Sequence, residues 1–238
     1  VVFNKARGAL MVVNEVTSSV QAKGTKTVVA AAVATMIAGV AGTAMAEEAA
    51  ELSEPAAKTT IVINNATTDD DLSNYAAMDF DGYVSSNASG HLGGAVLIKD
   101  GKQVTFDDGV KFTNNTSEKS GGAIEVQAGT VTLKDAVITG NKADTWGGAI
   151  RMAGNSTVNL TVTKDTVYSG NKANANGKLD YPDMGDFVYM NGATTGQKTA
   201  LNLKAEGDAT LTVADSIASA GSNNEITTEG KVNVTGSM

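Results

Sequence analysis

The chain has 238 residues, of which 18 are basic and 26 acidic, and a formal net charge of −8 at pH 7. Only one acid and four bases precede Glu47, so the rest of the chain carries 25 acids against 14 bases, which argues against binding nucleic acid or anionic lipid through bulk charge. Cysteine is absent, which excludes a disulfide framework, a thiolate zinc site and a cysteine nucleophile. We expect no cofactor.

Residues 1–46 have the organisation of a cleavable signal peptide. Two lysines precede an uncharged run of twenty residues, Thr27 to Ala46, which ends in a small-x-small pattern with Ala44 and Ala46 as its small residues. Two glutamates follow at once, so we predict that a signal peptidase cleaves before Glu47. The alternative is a permanent transmembrane helix, which the alanine-rich and glycine-containing run disfavours.

The segment before the apolar run is more specific. Residues 4–19 read NKARGALMVVNEVTSS. This segment resembles the extended signal-peptide region of type V secreted proteins, the autotransporters. The resemblance implies export by the secretion machinery and delivery to the cell surface or the medium. Because the chain opens at Val1 without an initiator methionine, we expect it to be a fragment of a longer protein.

A motif recurs beyond the leader. Two glycines, an alanine and a β-branched residue return at spacings of 28 and 26 residues, and an asparagine stands six residues before each pair of glycines. An apolar residue precedes each asparagine by three positions. The glycines are Gly93, Gly94, Gly121, Gly122, Gly147 and Gly148; the asparagines are Asn87, Asn115, Asn141 and, in a partial copy, Asn171; their apolar partners are Val84, Phe112, Ile138 and Tyr168. Such a period indicates a solenoid.

Apolar and polar residues alternate within each unit, which predicts strands. Aligning the units predicts three inward columns of apolar side chains. These are Val96, Ile124, Ile150 and Val188; Ile98, Val126, Met152 and Met190; and Phe106, Leu133, Leu160 and Leu203. A unit of roughly 27 residues is typical of one rung of a parallel β-helix. We therefore predict an all-β, right-handed parallel β-helix of about seven rungs, ~35 Å long, preceded by a helical signal peptide.

The glycines and asparagines are expected at the corners of the rungs. One or both glycines of each pair need a positive φ, or lie where the neighbouring rung leaves no room for a Cβ. An asparagine at the matching corner stacks its amide on the amides above and below it.

These glycine and asparagine repeats resemble those of the polymorphic outer-membrane proteins, which are autotransporters with β-helical passengers. The similarity runs from about residue 84 to residue 190. It implies a surface location and a C-terminal β-barrel, which would have to follow Met238.

The predicted domains follow from these patterns. They are the extended signal peptide at 1–46, a flexible acidic linker at 47–58, an N-terminal cap with the first rungs at 59–92, and β-helix repeats truncated by the C-terminus at 93–238. Within the cap, residues 67–82 are expected to be irregular. Residues 173–184 lengthen one link and are expected to form a surface loop, followed by a degraded copy of the motif at 185–188.

Acidic residues recur at the bend before each asparagine segment: Asp108, Asp135, Asp165 and Asp215. A column of carboxylates at these positions either binds calcium or accepts backbone hydrogen bonds at turns, and the second interpretation is favoured. We predict no metal site.

The enzyme alternative is an exported polysaccharide lyase or hydrolase, since many of these are β-helices. Such chemistry needs facing carboxyl groups, or a base beside a cation. Beyond the leader, the only arginine is Arg151 and the only histidine is His91, which is expected in an exposed turn. Trp146, the only tryptophan, stands in the corner before Gly147 and either projects as a contact residue or packs over a neighbouring turn.

The pattern therefore favours a non-catalytic surface or secreted protein. By resemblance it acts in adhesion and virulence, with an unknown partner on host cells, matrix or other bacteria.

Overall fold

The computed structural model describes residues 2–4, 9–11, 58–86, 92–180, 184–192 and 196–238. The chain divides into two compact units, Val1–Glu51 and Leu52–Met238. In the first unit, strands β1 (Val2–Asn4) and β2 (Ala9–Met11) pair in antiparallel fashion. The cleavage site at Ala44, Ala46 and Glu47 lies outside the described residues, as does the apolar run before it. No helix among the described residues is long and apolar enough to cross a membrane.

The second unit is a coil of strands that winds through successive rungs. The first rung holds β3 (Ile61–Ile63), helix α1 (Asp69–Ala76), β4 (Phe80–Asp81) and β5 (Val84–Ser85). The second holds β6 (Val96–Ile98), β7 (Lys102–Phe106), β8 (Lys111–Thr113) and β9 (Thr116–Ser117). The third holds β10 (Ile124–Val126), β11 (Gly129–Lys134), β12 (Val137–Thr139) and β13 (Lys142–Ala143).

Later rungs repeat this order with longer strands. The fourth holds β14 (Ile150–Ala153), β15 (Ser156–Val162) and β16 (Thr166–Tyr168). The fifth holds β17 (Val188–Asn191), β18 (Thr199–Ala205) and β19 (Thr210–Val213), and the sixth holds β20 (Ile217–Ala220), β21 (Asn224–Glu229) and β22 (Lys231–Val234).

Every sheet of this unit is parallel and joins corresponding strands of successive rungs. A six-stranded sheet runs β3-β6-β10-β14-β17-β20, and a five-stranded sheet runs β7-β11-β15-β18-β21. Three smaller sheets close the remaining sides, in the orders β4-β8-β12, β5-β9-β13 and β16-β19-β22. The predicted parallel β-helix is confirmed, with six rungs in the described part of the chain where about seven were expected.

The predicted columns are also confirmed. Ile124 pairs with Val96 and Ile150, and Ile150 pairs with Val188, so the first column is continuous. The columns that start at Ile98 and Phe106 continue in the same register. Nearly all these side chains are fully buried, so each rung covers the apolar face of the one before it.

One predicted register is wrong. The repeat pattern puts Val84 in the column of Phe112, but Phe80 occupies that position and stacks on Phe112 with ring centroids 4.7 Å apart. Val84 instead pairs with Thr116 and is 44% exposed. Val84 lies three residues before Asn87 and so matches the apolar-x-x-Asn pattern, but the larger Phe80 fills the core position next to Phe112. Asn87 lies outside the described residues.

The first rung also contains a helix where irregular structure was expected. Thr68 is the N-cap of α1, and its hydroxyl and the Asp71 side chain form a capping box. Three aspartates in the first turn stabilise the helix, because their negative charges lie near the positive end of its backbone dipole. Leu72 packs against the core, so the helix covers the end of the stack beside β7.

The lengthened link leaves the coil and returns in register. Asn174 closes a turn with Leu179, since its amide donates to the Leu179 carbonyl at 2.8 Å and accepts from the Leu179 N–H at 3.1 Å. The degraded motif copy then pairs Val188 with Ile150, so the insertion does not disturb the stacking of the rungs.

Candidate functional site

The first glycine of each pair makes the corner possible by its backbone conformation. Gly93, Gly121 and Gly147 have φ of +82°, +65° and +68°, and Gly185 of the degraded copy has +65°. Side-chain-bearing residues rarely adopt these values. A Cβ on Gly121 would also overlap the carbonyl oxygen of Ile124, because the chain folds back on its own strand at this corner.

The second glycine is required by the neighbouring rung. Gly122 has no positive φ, but a Cβ there would overlap the Gly148 carbonyl oxygen and approach the Lys142 nitrogen to 2.6 Å. The N–H of Gly122 donates to the Gly147 carbonyl at 3.0 Å, and Gly94 bonds to Gly121 in the same way at 2.8 Å. These glycines therefore lie above one another, as close as backbone hydrogen bonds allow.

The asparagines form a buried ladder at the next corner. Asn115 donates its amide N–H₂ to the Asn141 carboxamide oxygen at 2.9 Å, and Asn141 does the same to Asn171. Each carboxamide oxygen also accepts the backbone N–H of the asparagine one rung earlier. Tyr83 begins the ladder through its backbone N–H, and the Asp215 carboxylate ends it by accepting from Asn171 at 2.9 Å.

The recurring aspartates also join rungs. Asp135 accepts hydrogen bonds from the N–H and hydroxyl of Thr163 at 2.7 and 2.6 Å, and Asp165 accepts from the Thr210 N–H at 2.8 Å. Asp108 forms an ion pair with Lys134 at 3.3 Å. Across the described ranges, no three His, Cys, Asp or Glu side chains gather as a metal site would require.

The motif residues are therefore committed to the architecture. Asn115, Asn141, Ala123 and Ile124 have no exposed surface. A ligand outside the coil meets none of these side chains. The side chains available to a ligand are those that face outward.

A polar ladder of this outward kind runs along the five-stranded sheet. Asn159 donates to the Thr132 hydroxyl at 3.2 Å, Asn202 donates to Asn159 at 2.7 Å, and the Thr227 hydroxyl donates to Asn202. Their alternation with buried residues along each strand places them on the outer face. This face is polar.

The outer face of the six-stranded sheet carries a different cluster. Leu97, Glu125, Arg151 and Tyr189 hold equivalent positions on four successive strands. Trp146 stacks on Tyr189 of the next rung, with ring centroids 5.8 Å apart and an interplanar angle of 26°. The Arg151 guanidinium lies 5.8 Å from the centre of the Trp146 ring. Trp146 thus packs over a neighbouring turn while remaining partly exposed.

Two residues of this cluster, Glu125 and Arg151, form an ion pair. Arg151 donates through Nη1 to Glu125, whose other carboxylate oxygen accepts from the Ser120 hydroxyl at 3.2 Å. The Glu125 side chain has no exposed surface, and the Arg151 side chain is 14% exposed. Burial raises the pKa of Glu125 to about 7, although Arg151 and Ser120 act in the opposite direction.

Sequence reasoning named Arg151 and Trp146 but missed Glu125 and Tyr189. The available signal was the outward position directly after the Gly-Gly-Ala-apolar motif, where four rungs carry four different residue types. The repeat is otherwise uniform, so this position is marked by its variation from rung to rung.

The structure places an acid beside a cation, which is the arrangement that the enzyme alternative requires. The Glu125 carboxylate is enclosed, however, so it does not face a substrate groove. His91 lies outside the described residues.

Replacing the second glycine tests the close approach of rungs. Gly122→Ala should lower the free energy of unfolding by about 3 kcal/mol, because backbone atoms of the neighbouring rung occupy the Cβ position. Gly207→Ala is the control. A Cβ there meets open space at φ +60°, so only backbone strain of about 1 kcal/mol is added. Urea unfolding measures both, and equal losses would contradict the packing argument.

The buried glutamate should make stability depend on pH. Its pKa in the folded chain, about 7, lies above the ordinary 4.5. Its stabilising contribution is therefore complete below pH 4.5 and is lost as the pH rises through 7. The loss should approach about 3 kcal/mol. Glu125→Gln should remove this part of the pH profile in urea unfolding between pH 4.5 and 8; parallel profiles of the two proteins would refute the assignment.

Comparison with known proteins identifies part of this architecture. Residues 109–127 and 135–151 match the Chlamydia polymorphic membrane protein repeat. The matched segments contain Asn115, Asn141 and the glycine pairs that follow them. No curated protein and no solved structure matches the chain significantly. The chain therefore carries two repeats of the polymorphic membrane protein type, built into consecutive rungs of a parallel β-helix.

Proposed function

We propose that this chain is part of an autotransporter passenger, a non-catalytic surface-exposed or secreted protein that acts in adhesion to host cells, matrix or other bacteria. The observation that carries the proposal is that the matched repeats use their recurring motif for stacking. The outward positions are left to vary.

The repeat match supports a surface location, because the repeat is named for membrane proteins. The leader supports export, since its charge pattern and small-x-small end are those of a signal peptide. Parallel stacking supports the adhesive role, because a β-helix offers a long surface with little internal motion on which contact residues hold fixed positions.

The described surface gives less support to a polysaccharide lyase or hydrolase. A cavity of about 540 Å³ lies at the corner between β20 and β21, where Lys198 and Glu225 form an ion pair among amide side chains. Hydrolysis of a glycoside needs two carboxyl groups that flank the bond. This cavity is lined by one, and the carboxylate of Glu125 is enclosed.

Bead attachment tests the proposal. The full chain is expressed in a Gram-negative host, recovered from the periplasm and coupled to fluorescent beads, which are then incubated with epithelial monolayers or matrix-coated wells. We expect the recovered protein to begin at Glu47 and its beads to attach at least tenfold more than beads coated with the urea-unfolded chain.

Equal attachment of folded and unfolded protein on every surface, including bacterial cells, would rule out the adhesive role. A protein that stays in the cytoplasm with residues 1–46 still attached would rule out export.

A further inference from the structure

The residue types that dominate binding sites are concentrated at one place in this chain. Trp146 is the only tryptophan, and Arg151 is the only arginine beyond the leader. They meet each other and Tyr189 on the outer face of the six-stranded sheet. Trp, Tyr and Arg are the residues most enriched at energetic centres of recognition. We call these three residues the aromatic patch.

Part of the Trp146 residue stays accessible. Arg151 and Tyr189 are register partners on β14 and β17, and Trp146 contacts both. Trp146 sits at the corner before Gly147 and is partly exposed, so these contacts do not enclose it.

The ion pair that holds Arg151 in the aromatic patch lowers the stability of the fold, because it buries Glu125. Leu97 shows that an apolar residue fits the equivalent position one rung earlier, with 5% exposure. Glu125 instead buries a carboxylate, which costs desolvation that an ion pair only partly returns. The pair fixes Arg151 under the indole through one Nη1 bond, yet the Arg151 Nε–H has no partner. Costly, incompletely paired polar groups beside exposed aromatics are typical of a ligand site.

The size of the aromatic patch decides between kinds of occupant. A stable protein interface needs on the order of 800 Å² from each partner. The other large exposed apolar side chains of the described residues lie on other sheets or at the end of the chain: Val84, Val137, Val167, Ile226 and Met238. One indole with a neighbouring phenol instead matches a six-membered sugar ring, whose C–H face packs on an aromatic ring while its hydroxyls bond to polar groups.

Charge decides between kinds of sugar. The chain beyond the leader carries 25 acids against 14 bases, so its net negative charge would repel an anionic sugar.

We propose that the aromatic patch binds a neutral sugar unit of an oligosaccharide, which packs against the exposed part of Trp146. This inference rests on the proposed adhesive function and names its ligand class.

The single tryptophan provides the readout. The processed chain is screened on an array of neutral, sialylated and sulfated oligosaccharides, and the strongest neutral binder is titrated while Trp146 fluorescence is recorded. We expect saturable binding of at least one neutral oligosaccharide, at least tenfold tighter than its sialylated counterpart. Trp146→Ala and Tyr189→Ala should weaken array binding at least tenfold, whereas Val137→Ala, on a different sheet, should leave it unchanged.

Circular dichroism and urea unfolding establish that each variant is folded, and Trp146→Phe, which keeps a ring, should retain more binding than Trp146→Ala. Binding of acidic oligosaccharides alone, binding of none, or equal binding by wild type and folded Trp146→Ala would each overturn the inference. If beads attach but no sugar binds, this inference is wrong and the proposed function stands. If sugar binds but beads do not attach, the adhesive function is wrong and the sugar site stands.

Discussion

The stacking distance between rungs is the constraint on which the rest of this structure depends. Parallel strands approach to about 4.8 Å, and at the corners before β6, β10 and β14 the backbones come so close that a Cβ has no room. Glycine is the residue that permits this approach. Once the corners stack, the strands that follow are held in register and their apolar side chains form continuous columns.

The asparagine ladder satisfies the polar groups that this close stacking buries. The side chains of Asn115 and Asn141 each donate both to the next asparagine and to a carbonyl of the preceding rung, and their oxygens accept as well, so their donors and acceptors are used. The repeated motif is therefore an internal device, which explains why its side chains are hidden. Outer positions such as Arg151 and Tyr189 take no part in this ladder, and their residue types differ from rung to rung.

Much of the fold was predictable because the period appears directly in the residues. The spacing of Gly121 and Gly147 gives the rung, and alternation gives the columns. The helix α1 was not foreseen because it depends on a local capping box in a segment too short for periodicity to show. Val84 was misplaced because the pattern ignores side-chain volume, which favours Phe80. The predicted alignment of Ile124 with Ile150 already puts Glu125 beside Arg151, but it could not show that the Glu125 carboxylate is enclosed.

Cysteine pairs test the register most directly, because the native chain has no cysteine. Thr132 and Asn159 are register partners on the outer face of the five-stranded sheet, so their Cα atoms lie within disulfide range. Asn202 continues the same column one rung further, about 9.6 Å from Thr132. We expect rapid oxidative cross-linking of a Thr132→Cys, Asn159→Cys variant and none for Thr132→Cys, Asn202→Cys. Failure of the first pair, or equal cross-linking of both, would contradict the stacked coil.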